Sequence, residues 1–245
     1  MPKFFVNSNQ TQDKTIYITD EDAKHMISVL RMKKDDRVLV SDGQDIDYDC
    51  IIKDISKNKV ELEIKDMFKS ISEPQVKVTL YQGLPKSDKM ELIIQKCVEL
   101  GVDKIVPVAA ERSVVKFEEP KKSEKKIERW NKISEAAAKQ SQRSKVPLVT
   151  EIMSYSQAIE QAVKENDSVI IPYENETNFT IKQFLKDFNG RSIAVFIGPE
   201  GGFADKEIEF AKQKNIQAVT LGKRILRTET AGFVVLANVM YEKEM

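Results

Sequence analysis

The chain has 245 residues, 41% hydrophobic and 32% charged, the composition of a globular protein long enough for one large or two modest domains without disulfide or metal staples. Its 39 basic and 39 acidic residues cancel, which excludes a globally basic nucleic-acid coat but not a local basic face. Cys50 and Cys97 cannot build a disulfide framework, and with the single His25 they fall short of a structural zinc set, so no metal is expected. The N-terminus MPKFFVNSNQ has no signal-peptide pattern. No apolar run reaches the roughly 20 residues that span a bilayer. A reduced, cytoplasmic setting is the expectation.

Up to residues 72–74 short apolar runs at 4–6, 15–18, 37–40, 48–52 and 60–64 alternate with turn signals, and Asp42-Gly43 predicts a hairpin between two of them. One helix interrupts them, opening at Thr19 or Asp20 and closing near Arg31, with Ala23, Met26, Ile27 and Leu30 on one face. Residues 1–72 thus read as a small β domain of compact barrel form. Within it, Asp42, Asp45, Asp47 and Asp49 lack the EF-hand ligand pattern and read as carboxylates on the water-facing side of a strand.

From residue 73 to 245 strand and helix patterns alternate. Strands are predicted at 76–81, 104–108, 168–171, 193–197 and 218–221. Helices are predicted at 87–100, with Ser87 as N-cap and Gly101 as C-cap, and at 123–140, 156–165, 180–188, 205–213 and 228–242. The alternation predicts an α/β domain built on a mainly parallel sheet covered on both faces.

Ligands of such sheets bind beyond the carboxyl ends of the strands, where this sequence concentrates its unusual residues. Gly198-Pro199-Glu200-Gly201-Gly202-Phe203 follows one predicted strand; its glycines admit a close ligand and its carboxylate can accept a hydrogen bond or answer a positive charge. Gly222-Lys223-Arg224-Ile225-Leu226-Arg227-Thr228-Glu229-Thr230-Ala231 follows another and runs into a helix N-terminus. Arg227, between Leu226 and the cap, is expected to be partly buried and to need an anionic or carbonyl partner. Lys86, in Gln82-Gly83-Leu84-Pro85-Lys86-Ser87-Asp88-Lys89, and Arg112, in Glu111-Arg112-Ser113, are expected to face one crevice. Residues 121–145 carry nine basic against three acidic side chains and the only Trp, Trp130, and end in Lys139-Gln140-Ser141-Gln142-Arg143, groups suited to phosphate and sugar. His25 and the 30–34 segment offer a second basic edge.

On these blocks, with Phe4-Phe5-Val6, Val29-Leu30-Arg31, 86–101 and Glu111-Arg112-Ser113-Val114, the chain resembles over its whole length the RsmE family of ribosomal RNA uridine-N3 methyltransferases, of the SPOUT class. It departs at Lys223, where the family has proline, and at Lys3, where arginine is usual. The resemblance implies a PUA-like β-barrel RNA-binding domain at 1–72, then a SPOUT-type α/β methyltransferase domain at 73–245 with a C-terminal trefoil knot. Periodicity alone would have suggested an unknotted, doubly wound sheet.

The resemblance further implies a homodimer that binds S-adenosyl-L-methionine and methylates N3 of a uridine in small-subunit (16S) ribosomal RNA, with the assembled subunit as its expected substrate. Its cofactor pocket would be Ile197, Gly198, Pro199, Glu200, Gly201, Leu221, Gly222, Ile225, Leu226, Arg227, Thr230 and Ala231, with Tyr173 and Glu174 as weaker additions. Arg227, Arg112 and Glu229 are the expected catalytic residues, with Glu200 as an alternative base. Lys3, His25, Arg31, Lys86, Arg112, Lys139, Gln140 and Arg143 are the expected RNA contacts. The competing readings are a SPOUT ribose 2′-oxygen methyltransferase and a non-catalytic RNA-binding ribosome-assembly factor.

Overall fold

The computed structural model describes residues 1–44, 46–113 and 120–244; Asp45 of the acidic stretch, Val114, and the side chains of Lys121 and Lys122 lie outside the described residues. The chain divides into two compact units, Met1–Glu73 with Ala138–Val146, and Pro74–Ala137 with Pro147–Met245. Residues 138–146 therefore belong with the first unit, which no composition shift in the sequence marks.

The first unit carries β1 (Lys3–Phe5), β2 (Thr11–Gln12), β3 (Thr15–Thr19), α1 (Asp20–Lys24), β4 (Arg37–Ser41), β5 (Ile46–Ser56) and β6 (Lys59–Lys69). The sheet order is β1-β4-β5-β6-β3-β2, with β1 parallel to β4 and the other ladders antiparallel. Asp42 and Gly43 (φ +75°) stand in the β4–β5 turn, where glycine meets the left-handed backbone without strain. Phe4 of β1 and Ile16 and Ile18 of β3 share one core with Val38, Val40, Cys50, Ile52, Val60 and Leu62. Strands near both ends of the order thus wrap a single core, as a small barrel requires.

The expected helix forms without a break over residues 20–29, but its second half is π-helical: α1 runs directly into His25–Val29, where Leu30 N–H donates to the His25 carbonyl at 3.0 Å. The wider turn adds a residue and rotates the downstream face, so Ala23 and Met26 are buried while Leu30 is exposed. Asp47 is a second correction. It is buried rather than water-facing, because Lys3 Nζ donates to its Oδ2 at 2.9 Å and Ser144 Oγ lies 2.8 and 2.9 Å from its two oxygens. Buried charges persist when paired and hydrogen-bonded in this way.

Glu73 anchors the same 138–146 segment. Its carboxylate accepts from Arg143 Nη2 at 2.6 Å, from Ser144 N–H at 2.8 Å and from Lys145 N–H at 3.1 Å. Burial alone would push this carboxyl up, but Arg143 and the two backbone donors outweigh it and hold the group below its ordinary 4.5. A carboxyl depressed on folding stabilises above its unfolded value and loses that contribution as pH falls through its folded value. Glu73→Gln should therefore cost about 3 kcal/mol at pH 7, by removing the carboxylate charge that faces the buried Arg143 guanidinium. Urea denaturation should show the gap between wild type and variant closing as pH is lowered below 4.5.

The second unit carries β7 (Lys77–Gly83), α2 (Lys89–Glu99), β8 (Lys104–Ala109), α3 (Pro120–Gln140, its end counted with the first unit), β9 (Leu148–Val149), β10 (Met153–Ser154), α4 (Tyr155–Glu165), β11 (Ser168–Pro172), α5 (Ile181–Asp187), β12 (Ser192–Ile197), α6 (Asp205–Gln213), β13 (Gln217–Val219) and α7 (Thr228–Glu244). Every ladder is parallel, in the order β10-β8-β7-β12-β11-β13 with β9 also on β8. Central β7 and β12 are buried almost throughout, as strands covered on both faces must be.

One core gathers side chains of α4 and α6 around Tyr81 and Phe196, whose rings stack at 4.4 Å. On α7, the position a Gly232 Cβ would take lies 3.8 Å from Cys97 Sγ of α2 and from Leu80 of β7. The two-residue strands β9 and β10 carry too little periodicity for a sequence pattern to reveal. Helix α2 starts at Lys89, so Ser87 is not its N-cap; Ser87 instead turns the chain at φ +53°. Among the described residues no helix is long and apolar enough to cross a membrane.

Candidate active site

Parallel β7, β11, β12 and β13 end on one side of the sheet, and the loops leaving β12 and β13 bound a cleft of about 450 Å³, within the range of small-molecule sites. Its walls are Ile197 to Phe203, then Ile225 to Thr228 and Ala231, with Lys89, Pro172 and Glu174. Nine of the twelve expected cofactor residues line it: Ile197, Gly198, Pro199, Glu200, Gly201, Ile225, Leu226, Arg227 and Ala231. Leu221, Gly222 and Thr230 do not line it in this structure. Lys89 and Pro172 line it without having been singled out; Lys89 gave only a weak signal, as the last residue of the Gln82–Lys89 cluster.

The floor is tied together by a buried hydrogen-bond chain. Gln82, at the end of β7, donates through Nε2 to Thr228 Oγ1 at 2.9 Å, and Thr228 Oγ1 donates to the Gly198 carbonyl at 2.6 Å. Thr228, first residue of α7, thereby fixes the β12 loop. Glycine is required there by packing. A Cβ on Gly198 would sit 3.1 Å from Gly202 Cα, and one on Gly83 would sit 2.6 Å from Pro199 Cδ. Gly202 also holds φ +67°, a conformation side chains disfavour.

Charge at the cleft is arranged around Lys89. Its Nζ lies 3.0 Å from Glu200 Oε1 and 3.4 Å from Glu229 Oε2. The first contact is a hydrogen bond that raises the Lys89 pKa. The second is an ion-pair distance only, since buried Glu229 Oε2 has no hydrogen-bond partner among the described residues. Burial would push the Glu200 carboxyl up, but Lys89 and the Lys86 N–H, 3.1 Å away, hold it down.

Arg112 Nη1 donates to the Gly201 carbonyl at 3.1 Å. Lys86 and Arg112 thus meet the same loop, Lys86 through its backbone. The expected partial burial of Arg227 is corrected: its side chain is exposed at the cleft with no hydrogen-bond partner among the described residues, in a loop whose residues 222–225 are also exposed.

The expected RNA contacts divide. Lys86, Arg112, His25, Arg31 and Gln140 are exposed. Lys3 is not: its ammonium is enclosed by Asp47 and Ser144, so a surface role for it is corrected. Arg143 is likewise buried on Glu73, and Lys139 is half-buried on Asp22 at 2.8 Å. Trp130 is buried. The two thiols are also buried, and burial pushes Cys50 up to about 12, which leaves no reactive thiolate there. No metal-binding cluster occurs among the described residues.

Fold and cleft define the class, an RNA methyltransferase: the model of the RNA methyltransferase domain matches residues 72–240, and that of the RNA methyltransferase PUA domain matches residues 18–65. Ribosomal RNA small subunit methyltransferase E of Bacillus subtilis (strain 168) is 35% identical over 253 residues, covering 100% of this chain and 98% of the relative. The crystal structure of ribosomal RNA small subunit methyltransferase E from Neisseria gonorrhoeae, bound to S-adenosyl methionine, superposes with TM-score 0.86 at 32% identity, covering 98% of this chain and 97% of that one. A Legionella pneumophila protein solved with bound S-adenosylmethionine gives TM-score 0.85 at 27% identity over 98% and 96% of the two chains. The chain belongs to the ribosomal RNA small subunit methyltransferase E family.

Proposed function

We propose that this protein transfers a methyl group from S-adenosyl-L-methionine to N3 of a uridine in small-subunit ribosomal RNA. The observation that carries the reading is the cleft itself, set beyond the carboxyl ends of parallel strands in a chain of this family. Its residues fit the methyl donor. Ile197, Pro199, Ile225 and Leu226 offer apolar cover for a purine. The glycine cradle that a Cβ would fill leaves backbone groups accessible. Glu200 answers positive charge, and beside the cleft Glu229 Oε2 has no hydrogen-bond partner among the described residues and only the Lys89 ammonium at 3.4 Å.

When bound, the donor supplies an electrophilic methyl on a sulfonium and departs as a neutral thioether. The protein's tasks are then alignment and removal of the uracil N3 proton. Because N3 is engaged in Watson–Crick pairs, the target base must be unpaired or extruded. Negative charge then spreads to the flanking carbonyl oxygens, where a fixed guanidinium stabilises it. Arg227 has the free guanidinium for that role. Arg112 holds the Gly201 carbonyl and positions the loop. Glu229 is the assigned base, with Glu200 committed to Lys89 and the Lys86 N–H.

The same reading includes a C-terminal trefoil knot around the cleft, action in the cytoplasm, preference for an assembled subunit, and a homodimer. Tyr241 of α7, 69% exposed, supplies apolar surface that supports a second copy. RNA contacts are assigned to His25, Arg31, Lys139 and Gln140 of the first unit and to Lys86 and Arg112 of the second; the fixed Lys3 and Arg143 are left out. Titration calorimetry should give one S-adenosylmethionine per chain with a micromolar dissociation constant, on the order of −8 kcal/mol. Absence of binding at millimolar donor would contradict the assignment.

A further inference from the structure

Lys89 is the first residue of α2, where a cation meets the positive end of the helix dipole and destabilises the helix. Helix formation therefore does not explain it. The two carboxylates within reach of its Nζ come from elements far apart in sequence, the β12 loop and the first turn of α7, which are the two walls of the cleft. Two carboxylates and one ammonium leave the cluster with a single net negative charge.

We propose that Lys89 is a charge-balancing, positioning residue for methyl transfer, acting through Glu200 and Glu229 so that the cleft does not over-bind a cationic donor. The proposal rests on the reading of the cleft as the S-adenosylmethionine site. Transfer breaks the sulfur–methyl bond and forms the nitrogen–methyl bond; the sulfur keeps the electron pair and loses its positive charge. An environment that binds the sulfonium too well favours the ground state over the transition state and slows the step. Lys89 trims that attraction while fixing the spacing of the two carboxylates.

The test compares wild type, Lys89→Met and Lys89→Arg by calorimetric titration with S-adenosylmethionine and with its neutral thioether product, S-adenosylhomocysteine. One unscreened negative charge should raise the preference for the sulfonium over the thioether about fivefold in Lys89→Met, with Lys89→Arg keeping the wild-type ratio. In steady state, Lys89→Met should lower kcat roughly tenfold and lower KM for the donor as well, the pattern of lost ground-state destabilisation. A structural role would instead weaken both ligands alike and raise KM, and that outcome, or failure of Lys89→Arg to restore the ratio, overturns the proposal. Wild-type protein that bound neither ligand would overturn the cleft assignment and the role of Lys89 together. Wild-type binding of both, with an unchanged ratio in Lys89→Met, would overturn Lys89 alone.

Discussion

Replacing Gly83 with alanine is expected to weaken S-adenosylmethionine binding by about 100-fold and to lower stability by about 2 kcal/mol. The added methyl would lie 2.6 Å from Pro199 Cδ, 2.7 Å from Pro199 N and 3.1 Å from the Gly198 carbonyl carbon. These are ring and backbone atoms, so no flexible side chain can swing aside. Gly83 closes β7 next to β12, where Gln82 pairs with Ile197, and the whole 198–203 loop must move to relieve the clash. That motion would draw the Gly198 carbonyl off Thr228 and carry the cleft wall with it. Gly232→Ala is the matching control. Its Cβ would meet neighbours at an ordinary 3.8 Å, and alanine in a helix interior should add about 0.5–1 kcal/mol of stability with donor binding unchanged. Thermal denaturation of the two variants should therefore shift in opposite directions, while calorimetry should show weakened donor binding in Gly83→Ala alone.

Arg227→Ala should lower kcat by about 10²–10³ while changing donor affinity less than about threefold. The guanidinium has no hydrogen-bond partner among the described residues and stands at the cleft, so its removal breaks no internal contact. In the proposed mechanism, what is lost is the cation that answers the negative charge developing on uracil. Arg112→Ala should behave differently. Arg112 holds the Gly201 carbonyl and packs within 3.1 Å of the position a Gly201 Cβ would take, so its loss loosens the loop and raises the donor KM. Equal falls in donor affinity for both variants, with kcat spared in Arg227→Ala, would remove Arg227 from the chemistry.

The elements that were legible in the sequence are those with strong periodicity or strong punctuation. Central strands such as β12 are near-continuous apolar runs, Gly101 at φ +94° ends α2, and Asp42-Gly43 turns β4 into β5. The cleft was legible for a related reason: glycines and charges clustered at strand ends have few structural uses. Elements that were missed depend on tertiary partners. Asp47 alternates as an outward residue yet is buried because Lys3 and Ser144, 44 and 97 positions away, satisfy it. Lys3 and Arg143 have the composition of an RNA surface and the geometry of internal struts. The π-turn at His25–Val29 leaves no mark on residue spacing, and Lys89 acquires its role only when β12 and α7 bring two carboxylates to it.

The central claim is tested most directly by incubating the protein with S-adenosylmethionine and small ribosomal subunits that lack the modification, then digesting the RNA to nucleosides for mass spectrometry. The account predicts 3-methyluridine at one site, present with wild type and strongly reduced with Arg227→Ala. A methyl group on a ribose 2′-oxygen, or no methylated nucleoside from a protein that binds the donor, would contradict it.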